Sequence, residues 1–494
     1  MKNLHKILAF CLIIVVIFTL FSGCDSTKDA YIYLELTQPP ITLDPQTASD
    51  DNELIIIKNI YEGLLRKNSE GKIVNGACES YTNKGLTYTF NIREDAKWHN
   101  GEDLTAFDFV FGIKRAVNPE TKAPFASRLF AIKNAKEIYN GTKDLDSLGV
   151  KALDKKTLVI ELSYKDDNFL NVLTTSVAMP CNEKFFNQSD GKYGLFKDYV
   201  FSNSSYKLTK WNKESFGIRL YRNEEYNGEF YSQNAAVFIS CRTDKPVIER
   251  LKESSIDIAF VNCAYSSELN NSGVKTAQIE NICWFLTLGN NFSQNMRKSL
   301  SMLVGSEIYA NNLKDGFSPA NSIFPSVISD SPIVDGKTLY NLESGKKLFL
   351  QEVSKTDKNK FPEDIILYYY DDGNIKSVVT DIVGHWQNNL SAFVNIESVS
   401  DSQLLADEIV NQKYPMAIFP IVADNSNTYE YLKKLGIDYK GESLSEIQSK
   451  FLKSNNIIPI AFQNTTIAYS PAITNLITQA GDGYVDLSFI VKDE

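Results

Sequence analysis

Histidine is the side chain best suited to proton transfer near neutral pH, and this chain has three. His99 stands nearest to acids. The stretch KWHNGEDLTAFDFVFGIKRA, residues 97–116, places Glu102, Asp103 and Asp108 just after it. General acid/base work needs an activated partner, and here each acid has another task or faces solvent. Asn100-Gly101 is a turn. Thr105 is a helix cap with Asp108 at the third helical position, a variant of the capping box that normally carries Glu or Gln. Ala106, Val110, Ile113 and Val117 share one helical face, and Asn118-Pro119 ends it. His99 therefore reads as a packed or hydrogen-bonding residue.

Other chemistries find less support. His385 lies in DIVGHWQNNL, a helical stretch with no GxSxG element near it. Nothing singles out a pair of carboxylates for glycoside hydrolysis. No GxxxxGK[ST] or GxGxxG element occurs, so nucleotide binding has no basis. Cys78, Cys181, Cys241, Cys263 and Cys283 show no CxxC spacing, and which of them pair, if any do, is open. With His5 in the N-terminal leader, two histidines remain, too few for a metal chelate built from side chains. No catalysis, resident metal or cofactor is expected.

The elements that must position any site come next. At 494 residues the chain is long enough for two or three packed domains. Its formal charge is −10, and Lys2 and Lys6 leave the rest more negative still. An acidic surface argues against nucleic acid and against adsorption to anionic lipid. MKNLHK is a short basic region, ILAFCLIIVVIFTLF an apolar run, and SGC follows it. That layout is an export signal over residues 1–23, with an uncleaved anchor helix, which would leave the same body outside the cell, as the alternative. The run is shorter than the ~20 residues that usually span a bilayer. LFSGC resembles a bacterial lipobox, with Phe21 where leucine is usual, which implies acylation of Cys24 and attachment to the bilayer through it.

Beyond a polar tether, YIYLEL alternates as a strand, and Asp50 with Glu53 opens a helix read through NELIIIKNIYEGLLR. LTYTFNIR and KTLVIEL show the period of two of half-buried strands and are expected in one small sheet. Asn427 with Glu430 caps TYEYLKKLG, which ends at Gly436.

IVNGACES followed by GLTYTFNIREDAKWHNGEDLTAFDFVFGIKRA resembles the signature of family 5 extracellular solute-binding proteins, the oligopeptide-, dipeptide- and nickel-binding components of ABC importers. Phe109 stands where valine is common. In family order along the chain, ITLDP, NIYEGLLR, GIRLYRNEEYNG, NMRKSLSMLV, SPANSIFP, YNLESGKKLF and IVGHWQNNLSAFVNIE are similar to further family segments. The resemblance implies an α/β, two-lobed periplasmic-binding-protein-like fold of the class II type, with an α+β subdomain inserted in lobe one. It divides the chain into lobe one at 24–60, the insert at 61–177, lobe one again at 178–283, lobe two at 284–456 and a return to lobe one at 457–494.

The function it implies is capture of short peptides for a membrane permease by a monomeric, lipid-anchored receptor on the outer face of the cell membrane. A site accepting many peptides must satisfy backbone and termini, by strand-like pairing and by a carboxylate that holds the α-ammonium. The family's Ala-Asp-Tyr element falls here on Ala423, Asp424 and Asn425, preceded by Val422; Asp424 either meets ligand or braces its turn. A Gly-Thr-Gly-Pro-Tyr element is replaced by Asn203, Ser204, Ser205 and Tyr206, which either donate hydrogen bonds to a solute or form a plain polar turn. Pro39 and Pro40 lack the amide hydrogens that strand pairing uses, so Pro40 offers a carbonyl alone. These departures leave open a chelated-metal ligand, a degenerate paralogue, or a sensor or adhesion lipoprotein that does not transport.

Overall fold

The computed structural model describes residues 30–213, 216–241, 245–328, 340–356, 359–400, 414–423, 428–437, 443–478 and 483–493. Strand β1 (Tyr31–Glu35) buries Ile32 and Leu34 and turns Tyr31 and Tyr33 outward, as its alternation dictates. Helix α1 (Asp51–Ile60) begins in the expected capping box: the Asp50 side chain accepts from the third helical residue, and Glu53 reaches back to the cap. The helix stops at Ile60, short of the expected Arg66, because Tyr61 is extended. Gly63 then passes so close to the carbonyl of Leu173 that a Cβ would sit 2.8 Å from it. Helical periodicity continues in the sequence, but tertiary packing overrides it.

An insert follows. Strands β2 (Cys78–Lys84) and β3 (Thr87–Ile92) precede helix α2 (Ala106–Val117), and β4 (Val150–Ala152) and β5 (Thr157–Glu161) complete a four-stranded antiparallel sheet in the order β2-β3-β5-β4. The two half-buried strands read from sequence are the adjacent central pair. Tyr88, Phe90 and Ile92 alternate inward with Leu158 and Ile160. Helix α2 has the Thr105–Asp108 capping box, with Asp108 Oδ2 accepting from Thr105 N and Oγ1, each at 2.8 Å. The insert packs into one core with β1, α1 and the C-terminal Leu487 and Ile490.

The chain then lays down β6 (Tyr206–Asn212), β7 (Gly217–Arg222), β8 (Ala236–Ser240) and β9 (Ile258–Val261), and crosses between lobes on the long strand β10 (Lys275–Leu288). Lobe two contains α3 (Gln294–Ser301), β11 (Phe317–Pro319), α4 (Leu342–Val353), β12 (Ile366–Tyr370), α5 (Lys376–Leu390), β13 (Asn395–Val399), β14 (Met416–Val422), α6 (Thr428–Lys434) and α7 (Leu444–Ser454). The long strand β15 (Ile457–Tyr469) crosses back.

One eleven-stranded sheet spans both lobes, in the order β13-β12-β14-β10-β15-β9-β1-β8-β7-β6, with β11 beside β15. In lobe two both faces of this sheet are covered. Trp284, Leu286 and Leu288 of β10 enter one core, while Cys283 and Phe285 between them enter another. That explains the nearly continuous apolar run ICWFLTL, broken only by Thr287, since a strand buried on both faces does not alternate. Two lobes joined by paired crossing strands are the architecture the sequence implies. Cys24 and the leader lie outside the described residues.

Candidate functional site

The sheet's own directions locate the cleft. In lobe one, β8 and β9 both run parallel to β1. In lobe two, β13 and β14 both run parallel to β12. At the junction, Val261 closing β9 is opposite Thr466 of β15, and Val422 closing β14 is opposite Ile282 of β10. The carboxyl ends of both parallel sets therefore converge on one stretch of the β10/β15 ribbon. Open α/β sheets bind ligands outside those ends.

The floor of this cleft is Asn281. It sits at a register shift where β10 bulges between Glu280 and Ile282, and it is fully buried. Its Oδ1 accepts from Thr465 N at 3.2 Å and Thr465 Oγ1 at 2.9 Å, its Nδ2 donates to Tyr484 Oη at 3.1 Å, and its carbonyl accepts from Ala423 N at 2.7 Å. One residue thus ties both crossing strands, the C-terminal return and the end of β14. Beside it, Trp284 Nε1 donates to Gln463 Oε1 at 2.6 Å, and Gln463 Nε2 donates to Asp372 Oδ2 at 3.3 Å. Asn374 Nδ2 reaches Asn262 Oδ1 across the lobes at 3.2 Å. Sequence reasoning missed these hinge residues. The available signal was the polar pair Glu280-Asn281 standing immediately before the apolar stretch that begins at Ile282.

The lobe-one wall is the loop after β1, and helix α1 holds it. Asn52 Oδ1 accepts from Thr37 N at 2.9 Å, Thr37 Oγ1 at 3.0 Å and Gln38 N at 3.4 Å. Glu53 Oε1 accepts from Ile41 N and Thr42 N, each at 3.0 Å. The carboxylate that closes the capping box therefore also clamps the loop. Pro40 is buried within this loop and Ile41 is 75% exposed. A recess of about 330 Å³ beside it is lined by Pro39, Pro40, Ile41, Trp211, Lys213 and Phe216.

The other expected contact residues sit differently. Asn203, Ser204, Ser205 and Tyr206 are all buried in lobe one. Asn203 Oδ1 accepts from Glu62 N at 3.0 Å and its Nδ2 donates to Glu62 O at 2.9 Å. The main-chain amides of Asn203 and Ser204 both reach Ile60 O, so this turn caps the carboxyl end of α1. Asn223 Nδ2 takes Ser204 O, Asn223 N takes Ser205 O, and Tyr206 Oη meets Ser232 Oγ at 2.5 Å. In lobe two Val422 is 46% exposed at the strand's end, and Ala423 is buried with its N–H spent on Asn281. Asp424, Asn425 and Asn427 lie outside the described residues.

His99 is a packed residue. Its N donates to Ser202 O at 2.8 Å, and its Nδ1 lies 3.1 Å from Ser202 N and 3.3 Å from Ser202 O, so the ring is tied to the main chain of Ser202. Burial pushes its pKa down, and Phe201 packs edge-on at 5.0 Å. Lys97 pairs with Asp103 at 3.2 Å. His385 pairs locally with Asn389 on α5, and burial lowers its pKa too. Cys78, Cys181, Cys241, Cys263 and Cys283 are free thiols. Burial raises Cys78 and Cys181 to about 12, which makes them poor nucleophiles. Among the described residues no three His, Cys, Asp or Glu side chains are grouped to hold a metal, and no helix is long and apolar enough to cross a membrane.

A shared sheet, two lobes and a cleft at the converging carboxyl ends of parallel strands define a periplasmic-binding-protein type of molecule. Residues 72–476 match the model for bacterial extracellular solute-binding proteins, family 5 (middle region), and the chain belongs to this family. It is 25% identical over 430 residues to the oligopeptide-binding protein OppA of Bacillus subtilis, covering 83% of this chain and 78% of that one. It is 26% identical over 413 residues to the periplasmic oligopeptide-binding protein OppA of Haemophilus influenzae, covering 76% and 72%. Its fold is similar to the crystal structure of the substrate-binding domain of an oligopeptide ABC transporter from Bacillus anthracis, with TM-score 0.74 and 23% identity over 95% of this chain and 99% of that one.

Proposed function

We propose that the protein captures short peptides outside the membrane and delivers them to an ABC-type permease, without catalysis, as a monomer held at the outer face of the membrane by acylated Cys24. The observation that carries the reading is the match, along most of the chain, to proteins named for binding oligopeptides. The cleft geometry supports it. Converging strand ends at a two-strand hinge let a solute be enclosed from both sides by closure of the lobes.

In this reading the loop around Pro40 and the segment Val422-Ala423-Asp424 face the ligand from opposite lobes, with Asp424 meeting the α-ammonium. Asn203 to Tyr206 brace the end of α1 rather than touch ligand, since their bonds run to Ile60, Glu62, Asn223 and Ser232. The test is a thermal-shift screen of the chain lacking residues 1–24 against pools of di- to octapeptides and chelated metals. A rise confined to peptides supports capture, because a ligand that binds only the folded form stabilises it by mass action. A cooperative melt with no shift from any pool removes peptide capture and favours a receptor that keeps the lobes for signalling.

A further inference from the structure

The loop after β1 has an asymmetry in its hydrogen-bonding groups. From Leu36 to Leu43 each main-chain N–H is spent inside the protein or does not exist. Leu36 N goes to Ser240 O at 2.8 Å and Leu43 N to Gly194 O at 2.7 Å. Thr37 and Gln38 are taken by Asn52, and Ile41 and Thr42 by Glu53. Pro39 and Pro40 have no N–H. The carbonyls are in the opposite state. Among the described residues no donor reaches the carbonyl oxygens of Thr37, Gln38, Pro39 or Pro40, and only Ile41 O is engaged, by Lys213 Nζ at 3.3 Å.

We infer that this wall of the cleft recognises hydrogen-bond donors alone, so that it selects solutes presenting N–H or ammonium groups to lobe one and does not pair with a ligand chain as a strand. The inference rests on the solute-capture reading. Strand pairing is reciprocal: each partner alternately donates and accepts. Against this loop a peptide's N–H groups find carbonyls, while its own carbonyls on that side find no main-chain donor and must keep water to avoid an unsatisfied acceptor. A polyamine, which has donors and no carbonyl, suffers no such loss. Asn52 and Glu53 enforce the selection from behind the loop by occupying the amides that a neutral peptide would use.

The experiment compares the wild-type chain lacking residues 1–24 with a Pro39→Ala/Pro40→Ala variant, which restores two N–H groups. Calorimetric titration uses trialanine, its analogue with the central amide replaced by an ester, trilysine and spermidine. The expected result is that wild type loses about tenfold in affinity with the ester, the scale of one hydrogen bond left unmade. Wild type also prefers trilysine to trialanine, and the variant gains about tenfold for both peptides with little change for spermidine, which has no carbonyl. Equal affinities of wild type and variant for trialanine overturn the inference while leaving peptide capture in place. Binding of spermidine without any peptide keeps the donor selection and overturns peptide capture. Failure of all four probes against a folded chain overturns both. Because the alanine pair can disturb the loop, Gln38→Ala serves as a second variant. It alters the exposed side chain and leaves the main-chain pattern, so an affinity pattern different from wild type argues that side chains, not carbonyls, do the selecting.

Discussion

At the scale of single residues, the imidazole next to a run of acids proves to be a sensor of folding rather than a carrier of protons. His99 is half-buried, burial holds its pKa below the ordinary value, and the amide of Ser202 reaches its Nδ1. Its folded pKa lies below the unfolded value of about 6.5, so the unfolded chain binds the proton more tightly. The stability this contributes is fully present above that value and is lost as pH falls below it. His99→Gln should therefore shrink the drop in Tm between pH 7 and pH 5; an unchanged drop would assign the acid sensitivity to other groups. Asp424 is the second residue-scale prediction. If it holds the ligand's ammonium, Asp424→Ala weakens peptide binding by about 2 to 5 kcal/mol, the range for removing one partner of a buried charge pair, and an unaltered titration would reduce it to a brace. His99's role was legible beforehand because every nearby acid had a local task. The role of Asn281 was not, since its partners Ala423, Thr465 and Tyr484 are remote in sequence.

At the scale of elements, the legible parts were those whose reasons are local. Helix α2 and the β3/β5 pair follow from a capping box and from alternation, both visible within a dozen residues. The overrun of α1 shows the limit: residues 61–64 continue a helical stripe, yet Tyr61 is extended and Gly63 packs against Leu173 O, more than a hundred positions on. Gly112 makes a like point within α2. A Cβ there would lie 2.4 Å from the carbonyl of Met179, and backbone cannot move aside as a side chain can. Gly112→Ala should cost about 1 to 3 kcal/mol, as overpacking does, despite alanine's better helix propensity. Denaturant titration decides it: a gain in stability would mean that the 179–181 segment moves away freely. The site itself was legible in part. The prolines at 39 and 40 announced a missing pair of donors, but not that Asn52 and Glu53 consume the rest.

For the whole molecule, closure and attachment are separate properties. Asn281 and the contact between Asn262 and Asn374 tie the lobes to each other, while in the proposed function the N-terminal leader sets where the molecule stays. Cys24→Ala should release the protein into the medium or leave its precursor unprocessed, with the melting curve of the body unchanged. Acylated protein recovered after that substitution would remove the lipobox reading.

The two crossing strands also dictate when the chain can finish folding. Strand β10 pairs along nearly its whole length with β15, its partner across lobe two in sequence. β9 has β15 as its neighbour on one side, and Tyr484, Leu487 and Ile490 complete the core around α1. A chain that emerges from its amino end first therefore presents lobe one in an unfinished state until β15 and the residues after it have arrived, because contacts of high sequence separation form late and slowly. Lobe two, interrupted by nothing, waits on the same strand. Loss of the segment from β15 onward by early termination or proteolysis would leave neither lobe whole, so this segment is in effect the keystone of both cores.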